Sequence, residues 1–410
     1  MSYSIAMLSM HTSPLDMPGS TRDAGGLNVY INQLTRELGQ TQNTIDIFTR
    51  RSNKHIPTVV QISPKVRVIQ IQTGPPSPIQ KHGLYQYVAD FTQRVEEFRY
   101  IENTHYEVLH SHYWLSGIAA LQLAHKWAVP HIMMFHTLAH LKQLANPDEK
   151  EPFIRLEMER RLIQQADYII ASTNEERTQI IRHCGATPGQ VRVIPCGIDL
   201  KLFKPQNQQE ARIELGLEQR EPVLLFVGRL DPFKGPDLLL RSAAMMEEKA
   251  QIVIVGGKSS QDKDKDSQQL KELAAQLKIS KRVHFIDAQP QYKLPVIYSA
   301  ADVTVVPSYH ESFGLAAVES LACSTPVVAT RAGGLTTVVQ NHQTGFLVPR
   351  CPGFFAERLD SLLQNPSLLK KMSMAARPSV LQFSWKNVAR MVENMYEDVL
   401  NEEAKQLVAQ

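Results

Sequence analysis

The chain has 410 residues, more than one hydrophobic core normally holds, so two domains are expected. Its 44 basic and 41 acidic residues nearly cancel, which argues against a nucleic-acid partner. No apolar run reaches membrane-spanning length, and Cys184, Cys196, Cys323 and Cys351 lack zinc-ligand or disulfide spacing, so a cytoplasmic protein with no metal site and no membrane partner is expected.

Ser4–Met10 is apolar with no basic segment before it and reads as a first strand rather than a secretion signal. Gly25-Gly26 follow after a long loop, and the apolar spacing predicts a helix over Asn28–Leu38. Further strands are predicted at Thr44–Thr49, Val66–Ile71, Val108–Ser111, His131–Phe135, Tyr168–Ser172 and Val191–Pro195, with helices at Leu84–Phe98 and Ile154–Gln165. This βαβ rhythm predicts a parallel, doubly wound sheet covered on both faces. Residues 197–221 interrupt it with Gly197, Pro205 and a Gln/Asn-rich patch, and Pro222 lies just beyond, so a hinge is expected there. The rhythm then restarts at Pro222–Val227, Gln251–Val255, Val283–Ile286, Val303–Val306, Pro326–Ala329 and Gly345–Val348. The last element is an amphipathic helix from about Ser384 to Leu407, which must pack on existing structure because no strand follows it. The expected fold is α/β: two Rossmann-like doubly wound domains facing a cleft, over residues 1–200 and 201–380, with a helix in 381–410 returning to the first domain.

The stretch Pro307-Ser308-Tyr309-His310-Glu311-Ser312-Phe313-Gly314-Leu315, followed by Glu319, joins a buried strand to a helix predicted over residues 315–322. A helix start of this kind presents free N–H groups, and Glu311 and Glu319 can accept hydrogen bonds from a polyol. Gly228-Arg229-Leu230-Asp231-Pro232-Phe233-Lys234-Gly235 follows the first strand of the second series, at the strand end where open sheets bind ligands. Arg229 and Lys234 there suit a departing diphosphate. Gly256-Gly257-Lys258 repeats the pattern at the next strand end. In the first half, Gly25-Gly26 allow close backbone approach without forming G-x-G-x-x-G, which disfavours a dinucleotide cofactor. His136-Thr137 closes a strand and should face the ligand side. Asp262, Asp264 and Asp266 sit in a mixed-charge stretch that reads as a solvated loop rather than a metal motif. Each element alone has a bland reading as a turn, an ion-paired loop or a core histidine.

Taken in order, these motifs resemble the retaining GT-B glycosyltransferases of glycosyltransferase family 4 over nearly the whole chain. His11-Thr12-Ser13-Pro14, Asp23-Ala24-Gly25-Gly26-Leu27-Asn28-Val29-Tyr30, His110-Ser111-His112-Tyr113-Trp114 and Phe135-His136-Thr137 further resemble one branch. That branch holds the sucrose-phosphate synthases and the glycosyltransferase that starts mycothiol synthesis on inositol phosphate. The resemblance implies that the first domain binds a phosphorylated acceptor: Lys81, Tyr113, Thr137 and Arg155 take its phosphate, and Asp23, Gly26 and Asn28 line its polyol side. It implies that the second domain binds a nucleotide sugar. Arg229 and Lys234 would hold the diphosphate, Glu319 the ribose, and Glu311 with Ser312, Phe313, Gly314 and Leu315 the donor sugar, which Gly26 would also approach. His136 would contact a donor hydroxyl, so His136, Arg229, Lys234 and Glu311 form the implied catalytic set. No resident cofactor is implied: a UDP-sugar is the co-substrate, and magnesium is at most a stimulant.

Between acceptors, Asn28-Val29-Tyr30 looks more like the mycothiol enzymes, whereas a chain rich in Gln, Lys and Ile does not. The expectation taken forward is a minimal sucrose-phosphate synthase using UDP-glucose and fructose 6-phosphate. The alternatives are transfer of N-acetylglucosamine to inositol phosphate, or a sugar-nucleotide binder without turnover. Oligomeric state is not legible.

Overall fold

The computed structural model of the protein describes residues 2–16, 26–257 and 265–409. Asp23 and Gly25 of the first glycine loop, Lys258, and Asp262 and Asp264 lie outside the described residues. The chain divides into two compact units, Met1–Gly197 with Trp385–Gln410, and Ile198–Ser384.

In the first unit the elements are β1 (Ser4–Leu8), α1 (Gly26–Leu38), β2 (Thr44–Arg50), β3 (Val59–Ser63), β4 (Val66–Ile71), α2 (Val88–Ile101), β5 (Val108–His112), α3 (Tyr113–Trp127), β6 (His131–Met134), α4 (Ala139–Ala145), α5 (Phe153–Gln165), β7 (Tyr168–Ala171), α6 (Asn174–Cys184) and β8 (Val191–Val193). Among the described residues they build an eight-stranded sheet in the order β3-β4-β2-β1-β5-β6-β7-β8. Strands β1, β5 and β6 lie inside it with both faces covered, so their residues are buried without alternation, the polar His110, Ser111 and His112 of β5 included. The sheet is mixed rather than wholly parallel, because β3 pairs antiparallel with β4 and has a register shift between Gln61 and Ser63. The sequence reading has no strand there. Its residues are exposed or half-buried, as suits an edge paired on one side only, and they carry little of the core signal.

The second unit carries α7 (Gln208–Glu214), β9 (Val223–Val227), α8 (Pro236–Met245), β10 (Gln251–Val255), α9 (Lys265–Gln276), β11 (Val283–Ile286), α10 (Leu294–Ala300), β12 (Val303–Val306), α11 (Leu315–Ala322), β13 (Val327–Thr330), α12 (Leu335–Val338), β14 (Gly345–Val348), α13 (Pro352–Leu363) and α14 (Pro366–Val380). Among the described residues its six strands are all parallel, in the order β11-β10-β9-β12-β13-β14. The order reverses between β9 and β12, the switch point beside which the loops 228–235 and 307–314 emerge.

The last element, α15 (Trp385–Ala409), is part of the first unit, where it lies along α1 and buries Val388, Val392, Met395, Tyr396 and Val399. The chain changes unit at 197/198 and 384/385, a few residues from the 200/201 and 380/381 positions read from sequence. The shift has a local cause. Ile198 N–H donates to Phe383 O at 2.8 Å, and Arg377 Nη1 and Nη2 donate to Phe203 O and Leu200 O, so residues 198–203 are held by the second unit. On the other side of the change, Gly197 lies against the Trp385 ring, where a Cβ would come within 2.2 Å of Cδ2. Only glycine fits that approach.

Candidate active site

In the first unit the site begins where β5 and β6 end. Tyr113 and His136, the residues that leave these strands, both have left-handed backbone, φ +71° and +59°. For bulky residues this costs on the order of 1–3 kcal/mol each, and such strain concentrates where function fixes a side chain. The Tyr113 ring lies 4.3 Å from the His11 ring, and the Arg155 guanidinium sits over it at 5.0 Å. Arg155 projects from α5 and is only 1% exposed. Its Nη2 donates to Thr137 O at 2.8 Å and to Thr137 Oγ1 at 3.2 Å, its Nε to Glu159 at 2.6 Å and its Nη1 to Glu151 at 2.9 Å. Burial pushes the Glu159 carboxyl up despite Arg155. Burial also works against the Glu151 charge, but there Arg155 and Lys142 win and hold it low.

Lys81 opens a 3-10 turn, Lys81–Gly83. Burial first, then the charges of Lys81, His136 and Arg155, hold His11 down to about 3. Tyr113, Thr137 and Arg155 therefore lie together beside His11, close enough to Lys81 for its charge to act on that imidazole, and their groups suit a phosphate although Arg155 is already paired to Glu151 and Glu159. His136 is itself held at about 3 by burial and is neutral at physiological pH. Asn28, expected to line the acceptor, is buried: its Nδ2 donates to Ser13 O at 2.5 Å and its Oδ1 accepts from Thr12 Oγ1 at 2.9 Å. Its visible work is to tie the start of α1 to the segment that carries His11. Gly26 is the first residue of that helix.

In the second unit the loop after β9 is drawn together by Asp231, which bonds the Lys234 backbone N–H at 3.2 Å and Arg229 Nη2 at 3.2 Å. Arg229 keeps 55% of its side chain exposed. Lys234 Nζ lies 2.7 Å from Glu311 Oε1, which also accepts from Ser308 Oγ at 2.8 Å. Burial alone would raise the Glu311 pKa, but Lys234, Ser308 and His310 bring it below the ordinary value. Two residues assigned separately from sequence, Lys234 to diphosphate and Glu311 to sugar, thus form one ion pair. Lys234 is not a lone point charge.

The loop from Ser308 to Gly314 enters α11, whose N-cap is Gly314, and Phe313 is buried edge-on against Phe383 at 5.3 Å. Gly334 N–H donates to Glu311 O at 2.7 Å, and Gly333 (φ +51°) passes so close that a Cβ there would lie 2.2 Å from that oxygen. Arg350, just past β14, stacks on Tyr309 at 3.5 Å and donates to Pro307 O at 3.1 Å, bracing the loop from outside. Glu319 lies inside α11, accepts from Tyr298 Oη at 2.8 Å, and is pushed up to about 7 by burial, which its bonds from Tyr298 and Gln291 only partly offset. A residue expected to meet a ribose is thus largely buried against its neighbours.

Sequence reasoning assigned no role to His11, Arg350 or Glu159. The first two follow strand ends, the same signal that singled out His136. Glu159 lies one helical turn beyond Arg155, and the four-residue spacing on the helix predicted over Ile154–Gln165 was the signal that could have marked the pair. Among the described residues, no three His, Cys, Asp or Glu side chains are grouped to hold a metal ion, and no helix is long and apolar enough to cross a membrane.

Residues 24–202 match the family described as Glycosyltransferase Family 4, and residues 207–378 match Glycosyl transferases group 1. The D-inositol 3-phosphate glycosyltransferase of Nocardiopsis dassonvillei is 40% identical over 405 residues, covering 96% of this chain and 94% of its own. That of Acidothermus cellulolyticus is 39% identical over 411 residues, covering 97% and 91%. Among solved structures, a sucrose-phosphate synthase from Thermosynechococcus elongatus is 32% identical with a TM-score of 0.90, over 98% of this chain and 100% of that one. Anabaena HepE, solved with UDP and glucose, is 19% identical with a TM-score of 0.74 over 97% and 100%, a likeness of fold.

Proposed function

The chain belongs to the GT-B glycosyltransferases of family 4, and from that premise we propose that it moves a hexosyl group from a UDP-sugar to a phosphorylated polyhydroxy acceptor with retention. One observation supports the acceptor class: Tyr113, Thr137 and Arg155, which the resemblance implies as phosphate ligands together with Lys81, lie together beside His11. The donor takes its diphosphate from Arg229 and Lys234 and its sugar hydroxyls from Glu311 and the backbone ahead of α11. Neutral His136 gives a hydrogen bond at the reacting face, and the acceptor hydroxyl attacks the face from which the diphosphate leaves. The departing phosphate oxygen takes the acceptor proton, so positioning and fixed charges do the catalysis without a covalent enzyme intermediate.

Inositol phosphate is the first reading for the acceptor, because the relatives named for it share the higher identity over nearly the full chain. This reverses the leaning taken from composition. Fructose 6-phosphate is the second reading, favoured by the sucrose-phosphate synthase that superposes on the whole chain. The test is UDP release from UDP-glucose and UDP-N-acetylglucosamine against each phospho-acceptor and its dephosphorylated form. Acceptor-dependent release that requires the phosphate supports the proposal. Release that is equal with and without the phosphate, or absent throughout, sinks it.

A further inference from the structure

Two buried histidines of β5 take no part in the chemistry just described, yet they stand in a row with His136. His110 Nδ1 lies 2.8 Å from Tyr396 Oη of α15, the His110 and His112 rings are 4.4 Å apart, and His112 Nδ1 lies 2.9 Å from His136 Nε2. Tyr30 of α1 sets its ring edge-on to both His112 and His136, at 5.7 and 5.2 Å. The other nitrogens of the β5 pair, His110 Nε2 and His112 Nε2, are buried with no protein hydrogen-bond partner.

A neutral imidazole carries one N–H, and its position decides which nitrogen donates. An N–H buried without an acceptor is rarer and more costly than a bare ring nitrogen left unused. The hydrogen of His112 therefore belongs on Nδ1, where it is donated to His136 Nε2. His136 must then accept at Nε2 and carry its own hydrogen on Nδ1. The same logic places the hydrogen of His110 on Nδ1, toward Tyr396. Burial keeps His110 and His136 near 3, and burial first, then its histidine neighbours, holds His112 well below the ordinary value, so all three stay neutral at physiological pH.

We infer that His112 is a positioning residue: by donating from Nδ1 it fixes His136 as the Nδ1–H tautomer, a neutral donor and not a proton acceptor at Nε2. This rests on the reading of His136 as a group at the reacting face. In that reading the Nδ1–H offers a hydrogen bond to a donor hydroxyl and no proton leaves the imidazole, which removes His136 as general base.

The test is nitrogen NMR on the full chain with 15N-labelled histidine at neutral pH, the His136 signals being assigned by their loss in His136→Gln. The expected result is the Nδ1–H pattern; an Nε2–H pattern overturns the inference without any variant of His112. In His112→Phe, which keeps ring volume but has no nitrogen, the His136 signals become a tautomer mixture. There kcat drops roughly 10- to 100-fold with acceptor KM unchanged, by analogy with partners that orient metal-bound histidines. His112→Asn, whose carboxamide can supply a donor near the Nδ1 position, restores part of both. A Phe variant with wild-type tautomer and kcat refutes the positioning role. A wild-type chain that shows the Nδ1–H pattern but transfers no sugar would instead refute the transferase reading and leave the tautomer assignment standing.

Discussion

At the scale of single residues, the proposed function makes the Lys234–Glu311 pair the point where the second unit meets its ligand. Both partners are largely buried, so removing one leaves the other without compensation. Lys234→Ala is expected to lose on the order of 3 kcal/mol of transition-state stabilisation and also some folding stability. Lys234→Ala with Glu311→Gln should recover the stability and none of the turnover, which thermal unfolding alongside UDP release would separate. Glu319 makes a second, pH-dependent prediction. Its carboxyl sits at about 7 in the folded chain against an ordinary value of 4.5, so the folded state holds more protons than the unfolded state between those values. Stability from this group is complete at low pH and declines as pH rises through 7, by about 3 kcal/mol in all. Glu319→Gln should flatten that decline, and urea unfolding of both proteins at pH 4.5 and 8 would expose a mistake if the two slopes match. Both glutamates were legible from the strand–glycine–helix pattern around them. Their pairing with Lys234 and Tyr298 was not, because those contacts join residues 77 and 21 positions apart.

Several elements, at the edges of the sheets as well as inside them, were read with their bounds. Val66–Ile71, Gln251–Val255, Val283–Ile286, Val303–Val306 and Gly345–Val348 have in the structure the bounds the sequence suggested, as does the helix Leu315–Ala322. Gln251–Val255 and Val303–Val306 are largely β-branched runs closed by Gly256 and Pro307, which leave little room for another reading. The edge strand β3 was missed for the opposite reason: Val59–Ser63 contributes little to the core, so its pairing comes from β4 rather than from its own pattern. The turn before α12 shows how an element far along the chain shapes the site. Gly333 holds φ +51° with its backbone pressed toward Glu311 O. Gly333→Ala is expected to cost about 1–3 kcal/mol of stability and to raise the donor KM by shifting Glu311, leaving the acceptor KM as it was. Titrating the variant with UDP would show whether the two loops are coupled; unchanged affinity would mean they are not.

For the molecule as a whole, the ways the two units are assembled differ. The second unit is one unbroken segment, Ile198–Ser384, with its own core around Leu224, Ile254, Val305, Val328 and Phe355. The first is split, because α15 returns after the second unit to lie along α1 and to supply Tyr396 to His110 and Trp385 to Tyr30. Losing α15 removes the cover provided by Val388, Val392, Met395, Tyr396 and Val399. At about 1.5–3 kcal/mol per buried side chain, the loss is on the order of 10 kcal/mol, comparable with the whole stability of a domain. A fragment of residues 198–384 should therefore fold cooperatively and bind UDP alone. A fragment of residues 1–197 should fail to fold, and adding residues 385–410 through a short linker should rescue it. The rescued unit would be expected to bind inorganic phosphate, and neither unit alone should transfer sugar, since the proposed donor and acceptor residues are divided between them. Circular dichroism melts of the three fragments give the first answer. A cooperative transition from residues 1–197 alone would show that α15 is dispensable packing and that the row of histidines stands without it.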